Sequence, residues 1–252
     1  MASHPPSGCC AIGNLHEGSP SGKLVKIAGK YDGYLAEPVP ARKREAVAIV
    51  YLPDIMGLWQ NSLLMADQFA AKGYLTLVVD IYNGDPVPLN PPPDFNILTW
   101  LKEGGNGSTP HSPETIDPVV RAAITHLRLD HGVKSLGAVG YCLGAKYLVR
   151  HYTHGIDVGY IAHPSFVNEA ELAAISGPLS IAAAEHDHIF TPALRQKSEE
   201  ILAKCHQPYQ ITLHSHVEHG FAVRCDLSQE IQRFAKEQAF SQAVEWFHHY
   251  LR

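Results

Sequence analysis

Cys142 stands in the run Gly140-Tyr141-Cys142-Leu143-Gly144-Ala145, between a short apolar stretch at 136–139 (LGAV) and a helical segment at 146–152. This is G-x-C-x-G at a strand–turn–helix junction, the form of a nucleophile elbow with sulfur in place of the usual hydroxyl. The glycines matter because side chains flanking so tight a turn would collide with the neighbouring strand and helix. A helix starting just after Cys142 aims unpaired N–H groups and a positive dipole end at the sulfur, which favours thiolate. The Leu143 amide can face a developing oxyanion. Two later apolar runs end in the partners that such a nucleophile needs. Residues 179–183 lead into Glu185-His186-Asp187-His188, and residues 209–213 lead into Glu218-His219-Gly220-Phe221. The order nucleophile, acid, histidine assigns Asp187 to orient the imidazole and His219 to move the proton.

Those residues need a scaffold that presents strand ends side by side. Short β-branched or apolar runs at 46–52, 75–81, 136–139, 158–162, 179–183 and 209–213 alternate with segments of helical period. That alternation predicts an α/β fold with a mostly parallel central sheet and helices on both faces. Residues 24–27 and 34–36 read as an antiparallel pair at an edge. Met65, Ala66, Phe69 and Ala70 mark one helix, and Ile116 to Leu127 another, each with one buried face. Thr191-Pro192 opens a helix reaching about Lys204, and Ala243, Trp246, Phe247, Tyr250 and Leu251 place a packed helix at the end. Residues 84–113 lack periodicity and are rich in Pro, Gly and Asn, as in a lid, a substrate-binding insertion or a passive surface loop.

The 252 residues, 45% hydrophobic and 18% charged, can bury a large core, which excludes wholesale disorder. The expected organisation is a short N-terminal leader at 1–20 followed by one domain at 21–252; Cys9 and Cys10 could bind metal or be acylated, but with neither a myristoylation glycine nor an amphipathic helix the leader reads as loose and polar. Twenty basic against 25 acidic residues, with no Lys/Arg block, argue against nucleic acid or an anionic membrane as partner. Five cysteines without regular spacing read as free thiols, and no apolar stretch approaches the ~20 residues of a bilayer span, so a cytoplasmic protein is expected. His186, His188, His214, His216 and His219 cluster in sequence but match no zinc-ligand spacing, so no metal is expected. A homodimer through a sheet edge or the last helix stays compatible with the pattern.

Gly140 to Lys146 (GYCLGAK), Glu185 to His188 (EHDH) and Glu218 to Arg224 (EHGFAVR) together resemble the dienelactone hydrolase family, particularly its fungal branch. The resemblance runs from about Leu24 to the C-terminus. It implies an α/β-hydrolase fold, Cys142, Asp187 and His219 as a triad, no cofactor, and a small lactone or ester such as dienelactone as substrate. It also implies an acid after the first long strand that accepts the thiol proton. That place holds Asp54, where bacterial members carry glutamate, and the Ile55 amide becomes the second oxyanion donor. Of the arginines that clamp the substrate carboxylate in bacterial members, only Arg224 has a counterpart, shifted by one position. Trp59, Tyr82, Phe95, Trp100 and Phe221 would line an apolar pocket or belong to the core. Two other readings use the same residues: an isomerase, cyclase or lyase with His219 and Asp54 transferring protons, or a non-catalytic ligand-binding relative.

Overall fold

The computed structural model describes residues 1–251, so only the last residue of the expected 21–252 unit lies outside it. The elements follow in the order β1 (Lys23–Ile27), β2 (Tyr31–Ala36), β3 (Val47–Leu52), α1 (Gln60–Ala71), β4 (Leu75–Val79), α2 (Ile97–Glu103) and α3 (Pro113–Leu129). Then come β5 (Ser135–Tyr141), α4 (Leu143–Arg150), β6 (Val158–Ala162), α5 (Glu169–Ala173), β7 (Leu179–His186), α6 (Pro192–Leu202), β8 (Tyr209–Glu218), α7 (Phe221–Arg224) and α8 (Glu230–Tyr250). They build one eight-stranded sheet in the order β1-β2-β4-β3-β5-β6-β7-β8. Strands β3 to β8 run parallel, and the β1–β2 hairpin joins antiparallel along β4. This is the α/β-hydrolase architecture that the sequence predicts.

Each central strand is apolar at consecutive positions because both sheet faces are covered. In β3, Ala48, Val50 and Leu52 enter the core beneath α3 and α4, while Val47, Ile49 and Tyr51 enter the core beneath α1 and α8. Helix α3 buries Ile116, Val119, Val120, Ala123, Ile124 and Leu127, the predicted stripe, and begins at a Ser112–Thr115 capping box. The last helix begins 13 residues before Ala243, at Glu230, burying Ala235 and Ala239 on the same face.

Two expectations change. Residues 84–113 contain α2, and Asp85 pins them: its carboxylate meets His111 Nε2 at 2.9 Å and accepts from the Gly105 amide, while its carbonyl accepts from Trp100 Nε1. The stretch is ordered structure rather than a free loop. The leader is not loose. Ala2, Ser3, Cys10 and Ala11 are buried, and the amides of Ala2 and Ser3 donate to the Val167 carbonyl. The segment docks through backbone bonds together with a few small apolar side chains, Ala2, Cys10 and Ala11, which leave no apolar period.

The elbow is held by a close backbone approach. A Cβ on Gly144 would lie 2.1 Å from the Leu52 carbonyl oxygen and 2.6 Å from that of Pro53. A Cβ on Gly140 would lie 2.8 Å from the Ala145 Cα. Helix α4 therefore rests directly on the end of β3. Gly144→Ala is expected to cost more than about 3 kcal/mol, beyond the usual overpacking range, because backbone is what it strikes. Gly8→Ala, with open space around it, should stay within about 0.5 kcal/mol. Urea denaturation of the two variants checks the contrast.

Candidate active site

Strand β5 delivers Cys142 into a turn at φ 52°, ψ −116°, and α4 begins at the next residue. A non-glycine residue at positive φ is strained, and here the strand and helix on either side over-determine it. Strand β7 runs on to His186, with a register irregularity against β8 between Ala184 and His186, and hands over to Asp187. Strand β8 extends to Glu218 and hands over to His219. The three side chains meet as the sequence predicts. His219 Nε2 lies 3.2 Å from Cys142 Sγ, and His219 Nδ1 lies 2.9 Å from Asp187 Oδ2. The other Asp187 oxygen accepts from the amides of Ile189 and Phe190 at 2.8 and 3.0 Å, which fixes the carboxylate.

Burial alone would push the Cys142 thiol up, but contact with Cys10, the His219 imidazolium and the charge of Arg224 outweigh it and hold the thiol well below its ordinary value. Burial likewise opposes charge on His219, yet the Cys142 thiolate and the Asp187 carboxylate raise it to about 10. Asp187 is lowered: burial resists, and the His219 charge with its hydrogen bonds prevails. Both shifts favour the thiolate and imidazolium forms of the pair.

Asp54 and Ile55 follow β3 and are fully buried. Asp54 Oδ2 accepts from Arg224 Nη1 at 2.7 Å, and Oδ1 accepts from the Met56 amide at 3.2 Å. Burial raises Asp54 to about 6 against the opposing charge of Arg224, with the Cys142 charge adding to the rise. Its hydrogen bonds engage Arg224 and Met56, and its link to the sulfur is electrostatic. Leu143 is the first residue of α4, and the contact of Gly144 with Leu52 and Pro53 brings its amide beside the chain leading to Ile55. Arg224 is 2% exposed, and besides Asp54 it donates to the carbonyls of Ile12 and Cys9. The residue expected to clamp a substrate anion is thus committed inside the protein.

Phe221 packs against His163, itself edge-on to His219 at 5.0 Å, and with His219 it lines a cavity of about 280 Å³ bounded by Ile12, Gly13, His186 and His216. Tyr82 is fully buried, directs its hydroxyl to the Pro53 carbonyl and stacks on Trp100. Trp59 packs into the core beneath α1 and α8, and Phe95 against the opposite one. Of these aromatics, Phe221 lines the cavity.

Two participants escaped the sequence reading. Cys10 Sγ lies 3.3 Å from Cys142 Sγ and 3.4 Å from His219 Nε2. The segment carrying it is strapped across the site: Asn90 exchanges hydrogen bonds with Gly13, and Asn61 accepts from the His16 amide while donating to the Asn14 carbonyl. Cys142 is fully buried beneath it. The only signal in the sequence was the tandem Cys9-Cys10. The other is His163, at φ 38°, with neither ring nitrogen bonded to protein. Among the described residues two groups have metal-ligand spacing: Cys10, Cys142 and His219, all buried, and Glu185, His186 and His216, all exposed.

This fold and site place the chain among α/β hydrolases. It is similar to the crystal structure of the dienelactone hydrolase of Anabaena variabilis, with a TM-score of 0.65 at 13% identity, covering 94% of this chain and all of that one. The profile of the dienelactone hydrolase family matches residues 31–251. Two fungal relatives align end to end: hydrolase pyvD of Aspergillus violaceofuscus, 48% identical with both chains fully covered, and hydrolase tropI of Talaromyces stipitatus, 44% identical over 100% of this chain and 99% of that one. The chain belongs to the dienelactone hydrolase family and is a carboxylic ester hydrolase. No helix among the described residues is long and apolar enough to cross a membrane.

Two outcomes follow from the charges. By proton NMR the His219 ring of the wild type should keep both N–H protons to about pH 9, since its value is near 10. In Cys142→Ala, which removes the largest upward influence, it should lose one at lower pH. Asp54→Asn leaves Arg224 buried without a counter-charge and should destabilise by about 3–5 kcal/mol. Replacing both, as Asp54→Leu with Arg224→Met, should restore much of that loss in urea titrations.

Proposed function

We propose that this protein opens a small lactone or ester through an acyl-thioester on Cys142. The carrying observation is His219, whose two ring nitrogens touch Cys142 Sγ and Asp187 at once. The Cys142 thiolate adds to the carbonyl carbon, and the amides of Leu143 and Ile55 receive the oxyanion. Collapse breaks the ester C–O bond, and the imidazolium of His219 gives its Nε2 proton to the departing alkoxide. The neutral imidazole then takes a proton from water, whose hydroxide adds to the thioester. Expulsion of the thiolate leaves the acid product and returns His219 to imidazolium. One water is consumed and no cofactor enters. Asp187 holds the ring in one orientation throughout, and with the thiol proton already on His219 the Asp54 carboxylate serves to hold Arg224.

Substrate reaches the sulfur only when Cys10 and its segment move aside, because Cys142 is fully buried. The cavity beside His219, about 280 Å³, lies at the small end for ligand sites and suits a compact substrate. With Arg224 paired to Asp54, a neutral lactone fits better than one bearing a carboxylate. The five free cysteines support a reducing, cytoplasmic setting.

Cys142→Ala should retain its thermal transition while losing turnover on a panel of lactones and activated esters; full activity in that variant ends the proposal. Asp187→Asn should lower kcat by about 10⁴-fold if that role of Asp187 holds. A quenched reaction should show the acyl adduct on the Cys142 peptide by mass spectrometry, and labelled water should place its oxygen in the acid product. In paired substrates differing by one carboxylate, the neutral member should have the higher kcat/KM.

A further inference from the structure

Three of the softest ligands in the protein converge at one point. Cys10 Sγ, Cys142 Sγ and His219 Nε2 form a triangle with edges of 3.3, 3.4 and 3.2 Å, wholly buried. Tetrahedral zinc, with Zn–S near 2.3 Å and Zn–N near 2.0–2.1 Å, sets two sulfurs about 3.8 Å apart and sulfur to nitrogen about 3.6 Å. The triangle needs to open by only about 0.2–0.5 Å to become one face of such a site. A disulfide between the same sulfurs needs more, since they would have to close from 3.3 Å to about 2.05 Å.

The surroundings match a metal site in a second, independent way. His219 presents Nε2 to the sulfurs because Nδ1 is engaged by Asp187 at 2.9 Å. A carboxylate behind a ligating histidine is the usual support of bound zinc, orienting the ring and raising its basicity. Cys10 reaches the point because Arg224 holds the carbonyls on either side, those of Cys9 and Ile12, and Asn90 holds Gly13. Its position thus rests on three anchoring contacts made by residues outside the triangle.

We propose that Cys10, Cys142 and His219 form an inhibitory site for a thiophilic divalent cation such as Zn²⁺, with water at the fourth position. Binding releases the Cys10 thiol proton and the His219 Nε2 proton to solvent, and it tightens as pH rises. The ion occupies both the nucleophile and the proton carrier, and it fastens the N-terminal segment over the cavity. Metal binding itself does not depend on the proposed mechanism; the effect on turnover does.

The test uses the full chain, stripped of metal and kept in a phosphine reductant so that disulfides cannot form. Zn²⁺ is titrated against a chromophoric chelator while ester hydrolysis is followed in parallel, and Co²⁺ replaces Zn²⁺ for absorption spectroscopy. Expected are one Zn²⁺ per chain, turnover falling in step and returning with excess chelator, and a cobalt spectrum with thiolate charge transfer. Cys10→Ser should weaken Zn²⁺ by more than about 100-fold, beyond the loss typical of a supporting residue, whereas Cys205→Ser should not change it. Should Cys10→Ser fail to fold, Asp187→Asn supplies the second reading, with affinity down about 10–100-fold. No uptake by the wild type, unchanged affinity in Cys10→Ser, or inactivation only by oxidants with a Cys10–Cys142 disulfide would each overturn the site. Stoichiometric binding with undiminished turnover would keep the site and reject Cys142 as nucleophile.

Discussion

A guanidinium with 2% of its surface exposed stays charged only where acceptors surround it, and Arg224 finds them in Asp54 and in the carbonyls of Cys9 and Ile12. One side chain thereby joins three parts of the chain far apart in sequence: the turn after β3, the short helix after His219, and the N-terminal segment. Removing any of the three leaves a buried group unpaired, so the pair and the strap stand together. The planar fork of arginine suits this junction, since its donors are spread over three nitrogens and point in fixed directions to separate acceptors.

The consequence for the site is electrostatic. Buried charges are costly, yet this pocket contains a thiolate, an imidazolium, two carboxylates and a guanidinium. They coexist because each faces an opposite charge: Cys142 with His219, His219 with Asp187, Arg224 with Asp54. Between pH 6.5 and 9 the thiol–imidazole pair holds one proton whether folded or unfolded; folding moves it from sulfur to nitrogen. The pair's net contribution to stability is accordingly flat in that range. Cys10 goes the other way: burial first, then contacts with Cys142 and Cys9, raise it well above its ordinary value. Both sulfurs touch His219 Nε2, and the charge that builds on Cys142 is itself one of the influences that keep Cys10 protonated.

The fold and the meeting of Cys142, Asp187 and His219 were legible because their signals are local. Glycines at 140 and 144 report a turn with no room for a Cβ, and the ends of β7 and β8 report where Asp187 and His219 must project. Parallel strands buried on both faces read as continuous apolar runs, as β3 does. The boundaries were less legible. Strands β7 and β8 outlast their apolar cores by several residues, because ladder bonds between neighbours, not side-chain hydrophobicity, carry them on to the site.

What the amino-acid order determined by itself was the α/β-hydrolase scaffold and the identity of a sulfur, an imidazole and a carboxylate at its strand ends. Those depend on turn sterics and hydrophobic period within a few residues of each group. The tertiary structure alone decided that the leader docks, that Arg224 serves Asp54 instead of standing free, and that Cys10 rests on Cys142. These contacts join residues 132 to 215 positions apart through hydrogen bonds and charge. Such pairings have no period and no composition, so they come into being only when the sheet has brought their backbones together.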